Sequence, residues 1–153
     1  MNDLFSVSDK VVIITGGSGF LGGQYVEAFR AGGAIIINWD RDTGVDVASE
    51  ASVRRAIQKV INEHGRVDVL VNNAAFNPQV GEKNTSENNW VPYEKFSVSA
   101  WEKELKTNLT GQLITTQAVA PHMMKRMSGS IIFVSSDFAF MGPNNSIYKS
   151  GKF

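Results

Sequence analysis

Residues 11–22 read Val-Val-Ile-Ile-Thr-Gly-Gly-Ser-Gly-Phe-Leu-Gly, an apolar run followed by a glycine-rich segment. Four apolar, β-branched residues in succession are typical of a strand that is covered on both faces of a parallel sheet. The glycines after the strand permit a sharp turn into a helix, and we assign that turn to Gly16, Gly19 and Gly22. This order of strand, glycine turn and helix predicts an open α/β sheet, in which ligands bind beyond the carboxyl ends of the strands.

The rest of the chain repeats the alternation of strand and helix. The first strand is predicted over residues 11–15, and further strands over residues 34–38, 69–72 and 130–135. Helices are predicted over residues 21–30 and 49–64, and a long helical region begins with the capping pair Ser99 and Glu102 and runs past Pro121 to about Met127. The alternation predicts a doubly wound Rossmann-type parallel α/β sheet with helices on both faces, forming one domain over residues 1–153.

One connection is far longer than the others. Residues 76–96 are rich in Asn, Pro, Glu and Gly and follow a predicted strand, whereas most connections have about 4 to 6 residues. Two interpretations stay open, a loop that covers a substrate and a solvated excursion. Trp90 and Tyr93 lie in this segment, where their rings would allow stacking on a sugar derivative.

Charge and composition exclude several classes of function. Fifteen Lys and Arg balance fifteen Asp and Glu, so the chain has no charge excess for nucleic acid or an anionic membrane. There is no Cys, and His64 and His122 lie far apart, so we predict neither a thiolate nucleophile nor a metal site. The longest apolar run, residues 11–14, is too short for a membrane span and the first residues lack a signal-peptide pattern, so we expect a cytoplasmic protein.

The glycine turn indicates a binding site for a pyrophosphate. Glycine lets the backbone approach the phosphates closely, and their charge then meets amide N–H groups and the positive end of the helix. We assign this role to Gly16, Ser18, Gly19, Phe20, Leu21 and Gly22.

The end of the second predicted strand indicates that the pyrophosphate belongs to a dinucleotide. Asp40 stands where a carboxylate accepts hydrogen bonds from the adenosine ribose. Because Asp40 would repel a 2′-phosphate, NAD is preferred over NADP, and we interpret Arg41 as an ordinary surface residue rather than a phosphate ligand. Asp46, before Val47, is either a cap of the coming helix, which its chemistry favours, or an acceptor for the adenine amino group.

Tyr148 and Lys152 form a candidate reactive pair. They stand four residues apart, so both side chains share one face if the segment is helical. A Tyr pKa near 10 must fall to about 7 for proton transfer near neutrality, and an adjacent ammonium with an oxidised nicotinamide lowers it. A hydroxyl that fixes the substrate oxygen would complete the site, and Ser135 and Ser136 end the preceding strand.

In this combination and order, the elements resemble the short-chain dehydrogenase/reductase family along essentially the whole chain. The matching positions are residues 15–22, Asp40, Asp46-Val47, Asn72-Asn73-Ala74-Ala75, Asn108, Ser135-Ser136 and residues 148–152. The resemblance implies that Tyr148 is the general acid/base, that Lys152 holds the nicotinamide ribose and lowers the Tyr pKa, and that Asn108 belongs to a proton relay. It also implies that Asn72 and Ala74 line the adenosine side of the cofactor, with Asp46 and Val47 among the cofactor-binding residues.

The chain departs from the family pattern at two places. Phe20 occupies the position of the middle glycine and Gly19 precedes it, which resembles the extended, sugar-nucleotide-modifying branch. The family's usual spacing to the tyrosine points to Ser135 as the catalytic serine, whereas the position as second serine after the strand points to Ser136. We prefer Ser136 and keep Ser135 as the alternative.

The resemblance implies an oxidoreductase that moves hydride between a nicotinamide cofactor and an alcohol or carbonyl substrate, such as a sugar derivative. One alternative is an epimerase or dehydratase of sugar nucleotides that retains its NAD, and another is an inactive dinucleotide-binding fragment. A complete family member continues beyond Phe153, so the resemblance implies an amino-terminal part, cut after the fifth strand region, with little or no turnover alone. For the complete enzyme it implies a homodimer or homotetramer.

Overall fold

The computed structural model of the chain describes residues 5–76 and 93–142. Tyr148, Lys152 and Trp90 lie outside the described residues, so the predictions made for them stay predictions. The strands are β1 (Val11–Thr15), β2 (Ile35–Trp39), β3 (Val69–Asn72) and β4 (Ser130–Phe133). The helices are α1 (Phe20–Ala31), α2 (Glu50–His64), α3 (Val98–Leu105) and α4 (Gly111–Arg126), and a π-helical turn, Lys106–Thr110, joins the last two.

The four strands form one parallel sheet in the order β2-β1-β3-β4. Side chains alternate between its two faces, so β1 sends Val11 and Ile13 into one core and Val12 and Ile14 into the other. The first core is completed by α2 and α4, and the second by Tyr25, Val26 and Phe29 of α1. Helices therefore cover both faces, and the predicted doubly wound α/β fold is confirmed.

Several predicted boundaries move by a few residues. Strand β2 is shifted by one residue and ends at Trp39, which is buried, and β4 ends at Phe133, so Ser135 and Ser136 follow the strand. The capping prediction at Ser99 is wrong, because α3 begins at Val98 and the hydroxyl of Ser97 accepts the capping hydrogen bond from Ala100 N at 3.1 Å. The single long helix predicted there is instead α3, the π turn and α4, with Pro121 inside α4.

The connection from β2 to α2 is short. In the classic doubly wound order another strand lies beyond the second one, but no described strand pairs with the outer edge of β2. Residues 40–49 instead form a tight link through the 3₁₀ turn Arg41–Thr43. This link keeps Asp40 and Asp46 at the carboxyl edge of the sheet.

A buried carboxylate holds the opposite, amino edge of the sheet together. Asp68 accepts hydrogen bonds from Val11 N at 2.9 Å and from the Arg126 guanidinium at 3.0 Å, and Arg66 Nε lies 3.0 Å from it. Burial raises the pKa of the Asp68 carboxyl, but the hydrogen bonds from Val11 and Arg126 and the charges of Arg66 and Arg126 outweigh it, so the pKa lies below its ordinary value. Arg126 also donates to Val67 O at 3.1 Å, which ties the end of α4 to the start of β3.

Within the described segments, no helix combines the length and apolar character needed to cross a membrane. The same segments contain no cluster of three or more His, Asp or Glu side chains arranged to hold a metal ion.

Candidate functional site

A cavity of about 540 Å³ lies at the carboxyl ends of β1, β2 and β3. This is the edge at which the fold class places its ligands. The cavity is lined by the glycine turn, the β2–α2 link, the residues after β3 and the start of the α3–α4 region: Gly16, Gly19, Phe20, Leu21, Gly22, Trp39, Asp40, Arg41, Val45, Asp46, Val47, Ala48, Asn73, Ala74, Ala75, Lys103, Lys106 and Thr107. All of the predicted glycine-turn residues except Ser18 are in this lining.

Two of the predicted glycines leave no room for a side chain. Gly16 has a φ of +67°, and a Cβ there would lie 2.8 Å from Ala74 Cα. A Cβ on Gly22 would run into the carbonyl oxygen of Gly16, because the first turn of α1 packs directly on the turn before it. Glycine at these two positions lets the turn pack closely against the end of β3 and the first turn of α1.

The first turn of α1 faces this cavity. Gly19 precedes the helix and has no side chain to accept hydrogen bonds from the first-turn amides. The first turn carries no acidic residue, and Phe20, in the place of a glycine, is 89% exposed. These features leave a site of positive partial charge for an anion.

Side chains at the end of β2 hold the glycine turn from one side. Asn38 Oδ1 accepts from Gly17 N at 3.0 Å, and Asn38 Nδ2 donates to Ser18 Oγ at 3.1 Å. Asp40 Oδ2 accepts from Ser18 N at 3.1 Å, while its other oxygen accepts from Asp42 N at 3.3 Å. The Asp40 carboxylate therefore lies against the turn that follows β1.

Residues at the end of β3 hold the turn from the other side. Thr15 Oγ1 accepts from Asn73 N and Ala74 N, each at 2.9 Å. Asn73 Nδ2 donates in return to Thr15 O at 3.0 Å and to Gly16 O at 3.2 Å. The carboxyl ends of β1 and β3 are thus joined by a closed set of hydrogen bonds.

The predicted roles of Asp46 and Asn72 need correction. Asp46 does not cap α2, because Ser49 does so by accepting from Ser52 N, and Asp46 Oδ1 instead accepts from Ala48 N at 2.9 Å at the cavity wall. Asn72 is 1% exposed and is not among the residues that line the cavity. Its side chain accepts from Thr115 Oγ1 at 2.6 Å and donates to Thr116 Oγ1 at 3.2 Å, since it faces α4. Val47 and Ala74 line the cavity, and the cofactor contacts predicted for them stay predictions.

Asn108 lies in the π turn between α3 and α4. Its Oδ1 accepts from Phe76 N at 2.6 Å and its Nδ2 donates to Phe76 O at 3.0 Å. Both polar atoms of the amide are thereby used by one backbone residue just after the end of β3. A π turn widens the helix locally and occurs often at functional sites.

A profile of the family described as short chain dehydrogenase matches residues 41–153. The chain belongs to the short-chain dehydrogenase/reductase family. The 3-oxoacyl-[acyl-carrier-protein] reductase of Chlamydia pneumoniae is 33% identical, over 87% of this chain and 57% of that protein. Sorbitol-6-phosphate 2-dehydrogenase of Klebsiella pneumoniae is 32% identical, over 93% of this chain and 57% of that protein.

A solved structure of the family superposes closely on the chain. The ligand-free aldohexose dehydrogenase of Thermoplasma acidophilum gives a TM-score of 0.78 at 28% identity, covering 91% of this chain and 54% of the other. The chain therefore spans a little over half the length of these family members.

The remaining residues implied by the family pattern are not brought together in the described part. Ser135 and Ser136 are exposed beyond β4, and Ser136 Oγ donates to Asp137 Oδ1 at 3.2 Å. Conversely, the sequence interpretation missed Lys103, Lys106 and Thr107, which also line the cavity. Lys103 Nζ lies 4.4 Å above the Phe76 ring, a cation–π contact. The sequence signal for these residues is their helical spacing, and helical spacing does not show which face of the helix lines the cavity.

Proposed function

We propose that the chain forms the cofactor-binding part of an NAD-dependent short-chain dehydrogenase/reductase that interconverts an alcohol and a carbonyl compound. The observation that carries the proposal is the joint presence of the glycine turn and the Asp40 carboxylate at one 540 Å³ cavity. Family membership supports the reaction class, because the relatives named above are reductases and dehydrogenases.

The residues present fit an adenine dinucleotide. The pyrophosphate would lie over Gly16, Gly19 and Gly22, where the turn packs too tightly for side chains at Gly16 and Gly22 and its backbone lines the cavity. The adenosine would reach Asp40 and the wall formed by Val47 and Ala74. When bound, the nicotinamide ring accepts a hydride from the alcohol carbon or returns one to the carbonyl carbon.

NAD rather than NADP is the proposed cofactor. A 2′-phosphate would meet the Asp40 carboxylate at short range, whereas ribose hydroxyls would donate to it. Arg41 also lines the cavity, and its guanidinium favours NADP. We give Asp40 more weight because its hydrogen bond with Ser18 N fixes it beside the turn.

The proton steps are proposed for residues at the carboxyl end of the chain. The Tyr148 phenolate takes the alcohol proton on oxidation and returns it on reduction, and the Lys152 ammonium stabilises that phenolate. Ser136, or Ser135 as the alternative, donates to the substrate oxygen. Asn108 positions the segment after β3 through its two hydrogen bonds with Phe76.

A sugar or other polyhydroxy compound is the proposed substrate class. Two of the proteins compared above act, by their names, on sorbitol 6-phosphate and on aldohexoses. We do not propose the sugar-nucleotide epimerase, because the relatives compared above are dehydrogenases and reductases. The cytoplasmic location and the homodimer or homotetramer stay predictions.

Hydride transfer is tested by the appearance of NADH absorbance with NAD⁺ and a panel of sugars, polyols and 3-hydroxyacyl thioesters. The assay uses the product of the source gene, expressed as the gene encodes it, and its Tyr148→Phe variant. We expect turnover by this product with a polyol or sugar, and its loss on Tyr148→Phe. Unchanged turnover of the variant would place the acid/base group elsewhere, and turnover with the thioester alone would reject the sugar class.

A further inference from the structure

An amide side chain stands in the otherwise apolar run of β2, Ile35–Trp39, at position 38. Asn38 is partly buried and bonds with both of its polar ends to the glycine turn, at Gly17 N and Ser18 Oγ. A Cβ on Gly17 would run into Asn38 Oδ1, so residue 17 must be glycine for this contact to exist. Neither the family pattern nor the proposed chemistry assigns a role to Asn38.

The chemistry of its two partners fixes the orientation of the Asn38 amide. Gly17 N is a donor only, so the oxygen of Asn38 must face it and the nitrogen must face Ser18. Ser18 Oγ therefore accepts a hydrogen bond from Asn38, and its own hydrogen points elsewhere. Within residues 5–76 and 93–142, no group accepts a hydrogen bond from the Ser18 hydroxyl.

Ser18 and Asp40 together present a donor beside an acceptor. The Ser18 hydroxyl is exposed with its hydrogen available, and the Asp40 carboxylate lies against the amide of the same residue at 3.1 Å. A vicinal diol matches this pair, because one hydroxyl donates to the carboxylate while the other accepts from the serine.

We propose that Asn38 is a positioning residue that turns the Ser18 hydroxyl toward the adenosine ribose, so that Ser18 and Asp40 read its two hydroxyls together. The inference rests on the proposed function, since it requires an adenine nucleotide at the glycine turn. It adds a specificity residue that does not itself touch the ligand.

The test measures the affinity of the chain for ADP, 2′-deoxy-ADP and 3′-deoxy-ADP by calorimetry. A neutral hydrogen bond to ribose changes affinity by about fivefold, so the wild type should bind at least one deoxy analogue about fivefold more weakly than ADP. Asn38→Leu removes the amide, so the affinity for ADP should fall about fivefold while the affinity for that deoxy analogue stays unchanged. Ser18→Ala should have the same effect, and the double variant should lose no more than either single one.

Asn38→Asp gives an independent test that preserves shape. Its carboxylate still accepts from Gly17 N but also accepts from Ser18 Oγ, which draws the serine hydrogen inward and should abolish the preference for ADP over the same analogue. A merely structural role would instead weaken all three nucleotides alike, and this outcome in the Asn38 variants would overturn the inference. If the wild-type chain binds none of the three nucleotides, both the proposed function and this inference fail. If it binds ADP and both deoxy analogues equally, the inference about ribose recognition fails and the proposed function stands. Melting temperatures confirm that each variant is folded.

Discussion

The carboxylate of Asp40 accepts a hydrogen bond from Ser18 N at 3.1 Å, so the acid that follows β2 is tied to the turn that follows β1. Through this contact, the glycine turn and the acid after β2, which are separate in the sequence, form one side of a single cavity. The parallel pairing of β1 with β2, in which Thr15 lies opposite Trp39, brings them together. Nucleotide preference and turn geometry should therefore depend on the same side chain.

Replacing the Asp40 carboxylate should weaken the preference for NAD. Asp40→Asn keeps a similar shape but removes the negative charge, so the ratio of NADP to NAD affinity should rise about tenfold, or about 1.4 kcal/mol. Calorimetric titration with both cofactors measures the ratio. Asp42→Asn is the matched control, because Asp42 is exposed, lies two residues away and does not line the cavity. An equal rise in the control would mean that general surface charge, and not Asp40, sets the preference.

A methyl group at Gly22 should disrupt the cavity floor. Because a Cβ there would run into the Gly16 carbonyl, Gly22→Ala should lower the free energy of unfolding by about 1–3 kcal/mol and abolish nucleotide binding. Gly23→Ala is the control, since its Cβ would lie 3.9 Å from the nearest such atom and alanine favours a helix by about 1 kcal/mol. Urea unfolding and calorimetry check both variants. Equal behaviour of the two would contradict the packing described for Gly22.

The Asp68 cluster should make the chain sensitive to acid. The folded-state pKa of Asp68 is lowered, so the carboxylate contributes stability that is present above its unfolded pKa near 4 and is lost as the pH falls below it. Urea unfolding between pH 7 and pH 3 should show this loss, and Asp68→Asn should flatten the pH dependence while lowering stability at pH 7. Glu50→Gln is the control, because the Glu50–Arg54 pair is exposed and 3.9 Å apart. A wild-type slope that survives in Asp68→Asn would assign the acid sensitivity to other carboxyls.

Replacing Asn108 should loosen the segment after β3. Asn108→Asp keeps the acceptor for Phe76 N but sets a second acceptor against Phe76 O, so the melting temperature should fall and any turnover should fall with it. Asn62→Asp, on the exposed face of α2, tests the same chemical change at a side chain whose hydrogen bond from Gln58 Nε2, at 2.8 Å, goes to an oxygen that Asp retains. Differential scanning calorimetry compares the two variants. A melting temperature unchanged from wild type in Asn108→Asp would show that the Phe76 contact is dispensable.

The sheet was predictable because its signals are local. β1 and β3 match their predicted bounds, since runs such as Val11–Thr15 are apolar and β-branched throughout. The cap of α3 was missed because Ser97 and Ser99 both stand at plausible starts, and only the first helical residue, Val98, selects between them. The described residues contain no strand beyond β2, and the sequence pattern likewise predicts none between residues 38 and 49.

The errors in the site arise where neighbours in sequence face different ways. Asn72 and Asn73 are adjacent, but successive residues at a strand end point to opposite sides, so one meets α4 and the other meets the glycine turn. Asn38 and Lys106 were missed for a related reason. Asn38 bonds to a residue 21 positions earlier, and Lys106 lines a cavity formed largely by residues at the ends of the first three strands, so only the packed fold shows their surroundings. Local propensity thus predicts elements better than it predicts the side chains that tune a cavity.

Calorimetric titration of NAD⁺ into the 153-residue chain tests the central claim most directly. The account predicts saturable binding at one site per chain, with ADP competing and Gly22→Ala abolishing it. Absence of binding by the folded wild-type chain, or binding of equal strength by a folded Gly22→Ala variant, would contradict a dinucleotide lying over the turn at Gly16 and Gly22.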